Sequence, residues 1–194
     1  MSATKRDQQR IDRRKQILSC SLDMIISRGY ESMKIRDIAE KLDISTGLFF
    51  NYFESKEKIY EELIKIGLSG PENVFKLYSE EIEPIDYFEK ITGVIFESLK
   101  SYSMSARIFL LMAQTMNFES APESVKKLVA QFDAFTPVIP VVQKGQRLGQ
   151  IKQGEPAALL IAYWGAVQGV AQTYASRPEL PLPESTWIVD ILRA

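Results

Sequence analysis

Apolar residues in this chain recur every three or four positions, and Val/Ile/Thr-rich runs of strict alternation are absent. That property restricts the chain to helices. Ile17, Ser21, Met24 and Ile25 mark one face of a first helix, expected over 10–27 and stopped at Arg28-Gly29. Ile35, Ile38, Ala39 and Leu42 mark a second over 35–42. It should break at Asp43, a residue type that tolerates the left-handed turn conformation. A third begins at Ser45 or Thr46, either of which can cap it, and ends near Tyr52. Ser55 caps the next, which carries Ile59, Leu63 and Ile66 as its buried stripe. Alternating β-branched runs and Asn-Gly or Asp-Gly hairpin turns do not occur.

Longer helices follow. Pro84 stands in the first turn of one over 85–102, and another covers 105–117. A segment from Pro122 to Leu148 should end at Gly149 and be kinked or broken by Pro137 and Pro140. Helices over 155–176 and 184–192 complete the chain. The expected class is all-α, with a three-helix unit over 1–54 and a larger helical domain over 55–194.

Charge is uneven along the chain. Residues 1–56 hold 11 Lys/Arg against 8 Asp/Glu (+3), and the remainder 13 against 17 (−4). Six basic residues fall within 1–15, beside Asp7 and Asp12. A basic arm of this kind can seek phosphate, but from charge alone it reads as a solvated, disordered tail. The single Cys20 forms no internal disulfide and suits a reducing, cytoplasmic setting; no signal peptide shows. The longest mostly apolar stretch, Ala157–Ala171, is too short to span a bilayer and carries Gln168, so it reads as a buried helix.

Enzyme chemistry has little support. The chain has no His, which removes the usual base near pH 7 and the commonest metal ligand. One Cys without His excludes Cys/His zinc sites, and neither phosphate-cradling glycine motif is present. No cofactor, metal or membrane partner is expected.

Two short helices joined by the turn "KLDIS" form a helix-turn-helix pattern. The second helix of such a pair lies in a major groove of double-stranded DNA. In "STGLFFNYFESKEKI" (45–59), Phe49 and Phe53 are four apart and should lock this helix to its neighbours. Thr46 and Asn51 offer short polar groups to base edges, and Gly47 permits close backbone approach. Tyr52 and Lys56 can reach phosphates, and Arg36 a phosphate or a base. Spacing alone favours reading all four aromatics as core and rim of a small helical bundle, since helix-turn-helix shapes are common in proteins that bind no DNA.

The longer stretch "RGYESMKIRDIAEKLDISTGLFFNYFESKEKI" resembles the N-terminal module of the TetR family of transcriptional regulators, over about Arg13 to Ile59. The resemblance rests on Gly29-Tyr30, on Ile38-Ala39, on the Ser-x-Gly start and on the aromatic run leading to Lys56-Glu57. It implies DNA contact by Arg36, Thr46, Gly47, Leu48, Asn51, Tyr52 and Lys56. Three positions depart from the family pattern. Phe50 stands where a phosphate-binding Tyr is usual, and Asp43 where the turn usually has Gly. Met33 replaces a capping Thr, which leaves Ser32 to cap one residue early or the helix uncapped.

Within 155–176, Ala158, Ala162, Gly165, Gly169 and Gln172 recur at spacings of 4, 3, 4 and 3. Such a small-residue seam admits a second helix closely, from the same chain or from a partner. The resemblance implies pairing of the two C-terminal helices, with Trp187 and Ile188 beside the seam, in a homodimer. The middle of the chain is rich in Phe, Tyr and Met. It reads as plain core or as a cavity for an apolar ligand. The resemblance favours the cavity, with Phe96, Tyr102, Phe109, Met112, Gln114, Met116, Phe132, Trp164 and Gln168 as candidates, and Arg107 as a further polar anchor. Together these features point to a dimeric DNA-binding regulator, in that family most often a repressor, released by an apolar small-molecule effector. The alternative is an apolar-ligand carrier or cryptic enzyme that keeps the helix-turn-helix as a scaffold.

Overall fold

The computed structural model describes residues 5–75, 78–79, 81–101, 103–115, 121–131, 133 and 135–194, with side chains for all of these except 70–75. Helices account for nearly all regular structure among them: α1 (Lys5–Arg28), α2 (Ile35–Lys41), α3 (Thr46–Phe50), α4 (Lys56–Phe75), α5 (Pro84–Lys100), α6 (Met104–Thr115), α7 (Glu123–Ala130), α8 (Ile139–Arg147), α9 (Pro156–Ser176) and α10 (Ser185–Val189). The chain divides into two compact units. One comprises Met1–Gly67 and Arg107–Ala130, the other Leu68–Ala106 and Gln131–Ala194. The first unit therefore continues past residue 54 and recruits a later stretch of chain.

In the first unit, α1 begins at Lys5, five residues before the start expected at 10, and the stretch expected to be a tail is helical from residue 5 on. Its buried face starts at Ile17 and continues through Leu18, Leu22, Met24 and Ile25. Gly29, at φ 81, ends the helix, and its N–H donates to the carbonyl of Ile25 at 2.9 Å. Lys34 occupies the N-cap of α2 without a side-chain bond, so Ser32 does not cap it. Met33 instead points into the core at 1% exposure, which accounts for an apolar residue where a cap is usual.

The turn after α2 follows the expected left-handed path. Asp43 has φ 52, its N–H donates to Glu40 O at 3.2 Å, and the N–H of Ile44 reaches back to Ala39 O at 2.9 Å. This pair of bonds is the Schellman closure of a helix end. The next two caps are those expected. Ser45 Oγ accepts from Leu48 N at 3.0 Å, and Ser55 Oγ accepts from Lys58 N at 3.2 Å. Phe49 and Phe53 are buried with Ile38, Ile59, Leu63 and Leu111.

From α6, Arg107 donates to Asp23 Oδ1 at 2.8 Å and to Ser19 Oγ at 2.9 Å. Tyr60 and Thr115 share a hydrogen bond of 2.8 Å, and Ser124 donates to Glu57 at 2.5 Å. Gly67 lets α6 approach α4, since a Cβ there would lie 2.5 Å from Met112 Sδ.

In the second unit, α5 packs against α8, α9 and α10. Rings of Tyr78, Tyr87, Phe88, Tyr163 and Trp164 form a chain of edge contacts with centroids 5.0–5.4 Å apart. Thr92 donates its one hydroxyl proton to Phe88 O, so the buried Tyr163 hydroxyl is the donor in its 2.8 Å bond to Thr92. The segment expected over 122–148 is broken: α7 ends at Ala130, and α8 restarts with Pro140 in its first turn. Gly149, at φ 70, follows α8. The end of the chain is tied down by an isolated antiparallel bridge between Ile151 and Arg193 and by Ala194 N donating to Gln150 O at 3.0 Å.

Candidate nucleic-acid interface

α3 and the residues just after it present their side chains in four directions, set by 100° of rotation per residue. Phe49, with Phe53 just beyond the helix, points inward. Gly47 and Asn51 point away from the core, and both are exposed. Thr46 and Phe50 occupy one flank, Leu48 and Tyr52 the other. Phe50 is 52% exposed and Leu48 37%, so neither belongs to the core. The four aromatics thus divide: two anchor the helix, and two remain available to a partner.

A side chain at position 47 would meet only Ser45 Oγ, at 3.8 Å. The fold itself does not require glycine there, which suits a position approached from outside. Arg36 is exposed in the first turn of α2. Arg28 pairs with Asp37 at 3.8 Å beside it.

Lys56 is more constrained than the sequence suggested. Its ammonium donates to the carbonyls of Tyr30, Glu31 and Met33 at 3.3, 3.4 and 3.4 Å, and lies 4.3 Å from the Tyr30 ring centroid. Tyr30 in turn stacks on Tyr60 at 4.9 Å. Burial, followed by the nearby carboxylates of Glu57 and Glu31, pushes the Tyr30 phenol up to about 12. Lys56 therefore holds the turn between α1 and α2 as well as facing outward. On the same side, Arg14 makes a two-pronged ion pair with Glu62, and its guanidinium lies 4.6 Å over the Phe53 ring. These partners are distant in sequence, and periodicity gave no sign of them.

The candidate ligand residues fall in both units. In the first, Met112 is buried against Gly67, and Phe109 is half-buried. Gln114 donates weakly to Ile26 O at 3.4 Å and borders a cavity of about 210 Å³ lined also by Ile25, Tyr30, Tyr60, Leu111 and Ala121. Arg107 is engaged with α1 rather than with a cavity. In the second unit, Phe96 is buried, and Trp164 and Gln168 are half-buried. The indole N–H of Trp164 is shielded from solvent and has no hydrogen-bond partner among the described residues. Tyr102, Met116 and Phe132 lie outside the described residues.

The small-residue seam of α9 is on the surface of the single chain. Ala158, Ala162, Gly165, Gly169 and Gln172 are all exposed, and a Cβ at Gly165 or Gly169 would meet nothing within 4 Å. The opposite face carries the fully buried Leu160, Tyr163, Val167 and Ala171. Trp187 is 65% exposed, Ile161 61%, and Ile188 half-buried.

A match to the profile of bacterial regulatory proteins of the tetR family covers residues 17–63, the span from the first buried residue of α1 to the core of α4. The chain carries the TetR-family module. The HTH-type transcriptional regulator RutR of Escherichia coli (strain K12) is 22% identical over 162 residues, covering 82% of this chain and 74% of RutR. The HTH-type transcriptional repressor KstR2 of Mycolicibacterium smegmatis is 29% identical over 90 residues, 46% of this chain and 42% of KstR2. Among solved structures, the MbdR regulator from Azoarcus sp. CIB superposes with a TM-score of 0.76 at 18% identity, covering 92% of this chain and 96% of MbdR. The matched module and the names of these relatives support a transcriptional regulator with a helix-turn-helix. No helix among the described residues is long and apolar enough to cross a membrane.

Proposed function

We propose that the chain acts as a twofold dimer that binds a near-palindromic operator and represses transcription, and that an apolar small molecule releases it. One observation carries the DNA-binding part. The outward directions of α3 hold Thr46, Gly47, Leu48, Asn51 and Tyr52, while Phe49 and Phe53 fix the helix from beneath. Thr46 and Asn51 read base edges and Gly47 admits close approach. Leu48 packs in the groove, Tyr52 and Lys56 meet phosphates, and Arg36 meets a phosphate or a base. The dimer reading is supported by the exposed seam of α9 with Trp187 and Ile188 beside it, since closed twofold pairing is the commonest oligomer.

For the effector, the indole N–H of Trp164, without a partner among the described residues, the half-buried Gln168 and the buried Phe96 suit a ligand of mostly apolar surface with one or two polar groups. Without His, no side chain has an ordinary pKa near pH 7, so release by protonation is not expected. DNA binding and effector binding are then coupled equilibria, each lowering the affinity of the other by the same factor.

The test is selection of bound duplexes from a random pool with purified protein, then titration of the selected duplex across salt. Enrichment of a near-palindrome whose affinity falls with salt supports the reading. Thr46→Ala and Asn51→Ala should then alter base preference at single positions, by about 1–3 kcal/mol each. A pool that yields no sequence, bound no more tightly than bulk DNA, would remove it.

A further inference from the structure

The first three turns of α1 are helical, and of their side chains only those of Arg13 and Arg14 are even half-buried. Residues 5–16 contain no buried side chain, and the buried face begins at Ile17. At 1.5 Å per residue this is a protruding helix of roughly 18 Å. Helices so short are marginal in water on their own, so the segment gains little by ordering itself. Its inner end is fastened by Arg14 to Glu62 and by the Arg14 guanidinium over Phe53.

The side chains of this segment are arranged by charge. Arg6, Arg10 and Arg13 follow one another at spacings of four and three, within about 60° of a single line along the helix. None of the three is in an ion pair with another described residue. They line one shallow groove with Gln9, Gln16 and Tyr52, the last of which stands at the end of α3. The acids Asp7 and Asp12 also border the groove, but about 100° or more around the helix from Arg6. Asp12 accepts a hydrogen bond from Gln8 at 2.9 Å.

We infer that Arg6, Arg10 and Arg13 form a phosphate-binding stripe that continues the α3 contact surface along the backbone of the same duplex. The inference rests on the DNA-binding reading above. Arginine suits the task because its planar fork presents several N–H donors to phosphate oxygens and stays charged. Three cations in a row, none of them ion-paired among the described residues, match the repeated negative charge of a duplex. The shared groove with Tyr52 makes the stripe continuous with the phosphate-facing flank of α3. Such contacts add affinity for every sequence equally and carry no base information.

The experiment compares the full chain with two triple variants on the selected operator duplex and on a random duplex of equal length. Replacing all three arginines by glutamine removes the charge and keeps good helix formers. Replacing all three by lysine keeps the charge. Each neutralised phosphate contact contributes about 0.9 to the slope of log affinity against log salt, so the glutamine variant should flatten the slope by about 2–3 units on both duplexes. The lysine variant should keep the slope of the parent, and base preference should be the same in all three proteins. An unchanged slope in the glutamine variant overturns the stripe. So does an equal loss in the lysine variant, which would make the effect structural. If the parent itself shows no salt-dependent DNA binding, the DNA-binding reading falls together with the stripe.

Discussion

Replacing Gly169 with Leu separates a seam that faces a partner from one that faces the subunit's own core. The seam from Ala158 to Gln172 is about 21 Å long at 1.5 Å per residue, and its residues project little beyond the backbone. Two such faces can approach to about 8 Å between axes, whereas bulky residues hold helices near 10 Å. Within the subunit a Cβ at 169 meets nothing within 4 Å, so a Leu there has room and should leave the fold of the single chain intact. In a twofold dimer the same Leu enters the interface twice. Overpacking costs about 1–3 kcal/mol per site, hence about 2–6 kcal/mol per dimer. At 1.4 kcal/mol per decade, the dissociation constant should rise between about 30-fold and 10⁴-fold. Sedimentation velocity over a dilution series measures it, with thermal melting of the dilute protein as the check on fold. Affinity for a duplex with both half-sites should fall steeply, while affinity for a single half-site should stay unchanged. Two results would refute the reasoning: an undisturbed dimer, or a melting temperature of the dilute protein lowered by several degrees.

Lys56→Ala removes an ammonium shared by three carbonyls and a Tyr30 ring, so it should lower stability by about 1–2 kcal/mol. It should also weaken binding to all DNA sequences alike, flattening the salt slope by about one unit; a loss confined to one operator sequence would contradict the phosphate role. Phe50→Tyr adds a hydroxyl to a ring that is 52% exposed, so stability should hold within about 0.5 kcal/mol. Binding to every duplex should tighten roughly tenfold through one charge-assisted bond of about 1.5 kcal/mol, and a loss limited to particular thymines would instead mean that the ring reads their methyl groups. Burial raises the phenols of Tyr87 to about 12 and of Tyr163 and Tyr60 in the same direction, above the unfolded value of 10.0. Their protonated forms stabilise the fold fully below pH 10, and that contribution is lost as pH rises from 10 toward 12. Melting temperature should fall over that window, and less so in Tyr163→Phe.

Much of the helix-turn-helix was legible because its determinants are local. Ser45 and Ser55 cap the helices that begin one residue later, and Asp43 sits in the left-handed turn. A period of four separated the buried Phe49 and Phe53 from their exposed neighbours. The same logic placed the α9 seam on a face of its own, though only the structure shows that face to be solvent-exposed. What spacing could not reveal were partners far apart in the chain. Arg107 and Gln114 looked like anchors for a ligand, yet they reach Ser19, Asp23 and Ile26 of α1. The basic start of the chain looked like a tail, because charge composition does not register the fastening of Arg14 to Glu62. Met33 looked like a missing cap, and its burial explains it.

The make-up of the first unit bears on how regulators of this kind could be recombined. Its body is discontinuous: the helix-turn-helix is completed by Arg107–Ala130, which supply Arg107 to Asp23, Thr115 to Tyr60 and Ser124 to Glu57. A chimera cut near residue 54, grafting this recognition module onto another regulator's body, would leave Ile25 facing a foreign α4 and α6 in place of Tyr60 and Leu111. It would also strand Asp23 without its cation. Transferable specificity should instead reside in a graft of the exposed residues of α2 and α3 alone, seven surface positions on an unaltered frame.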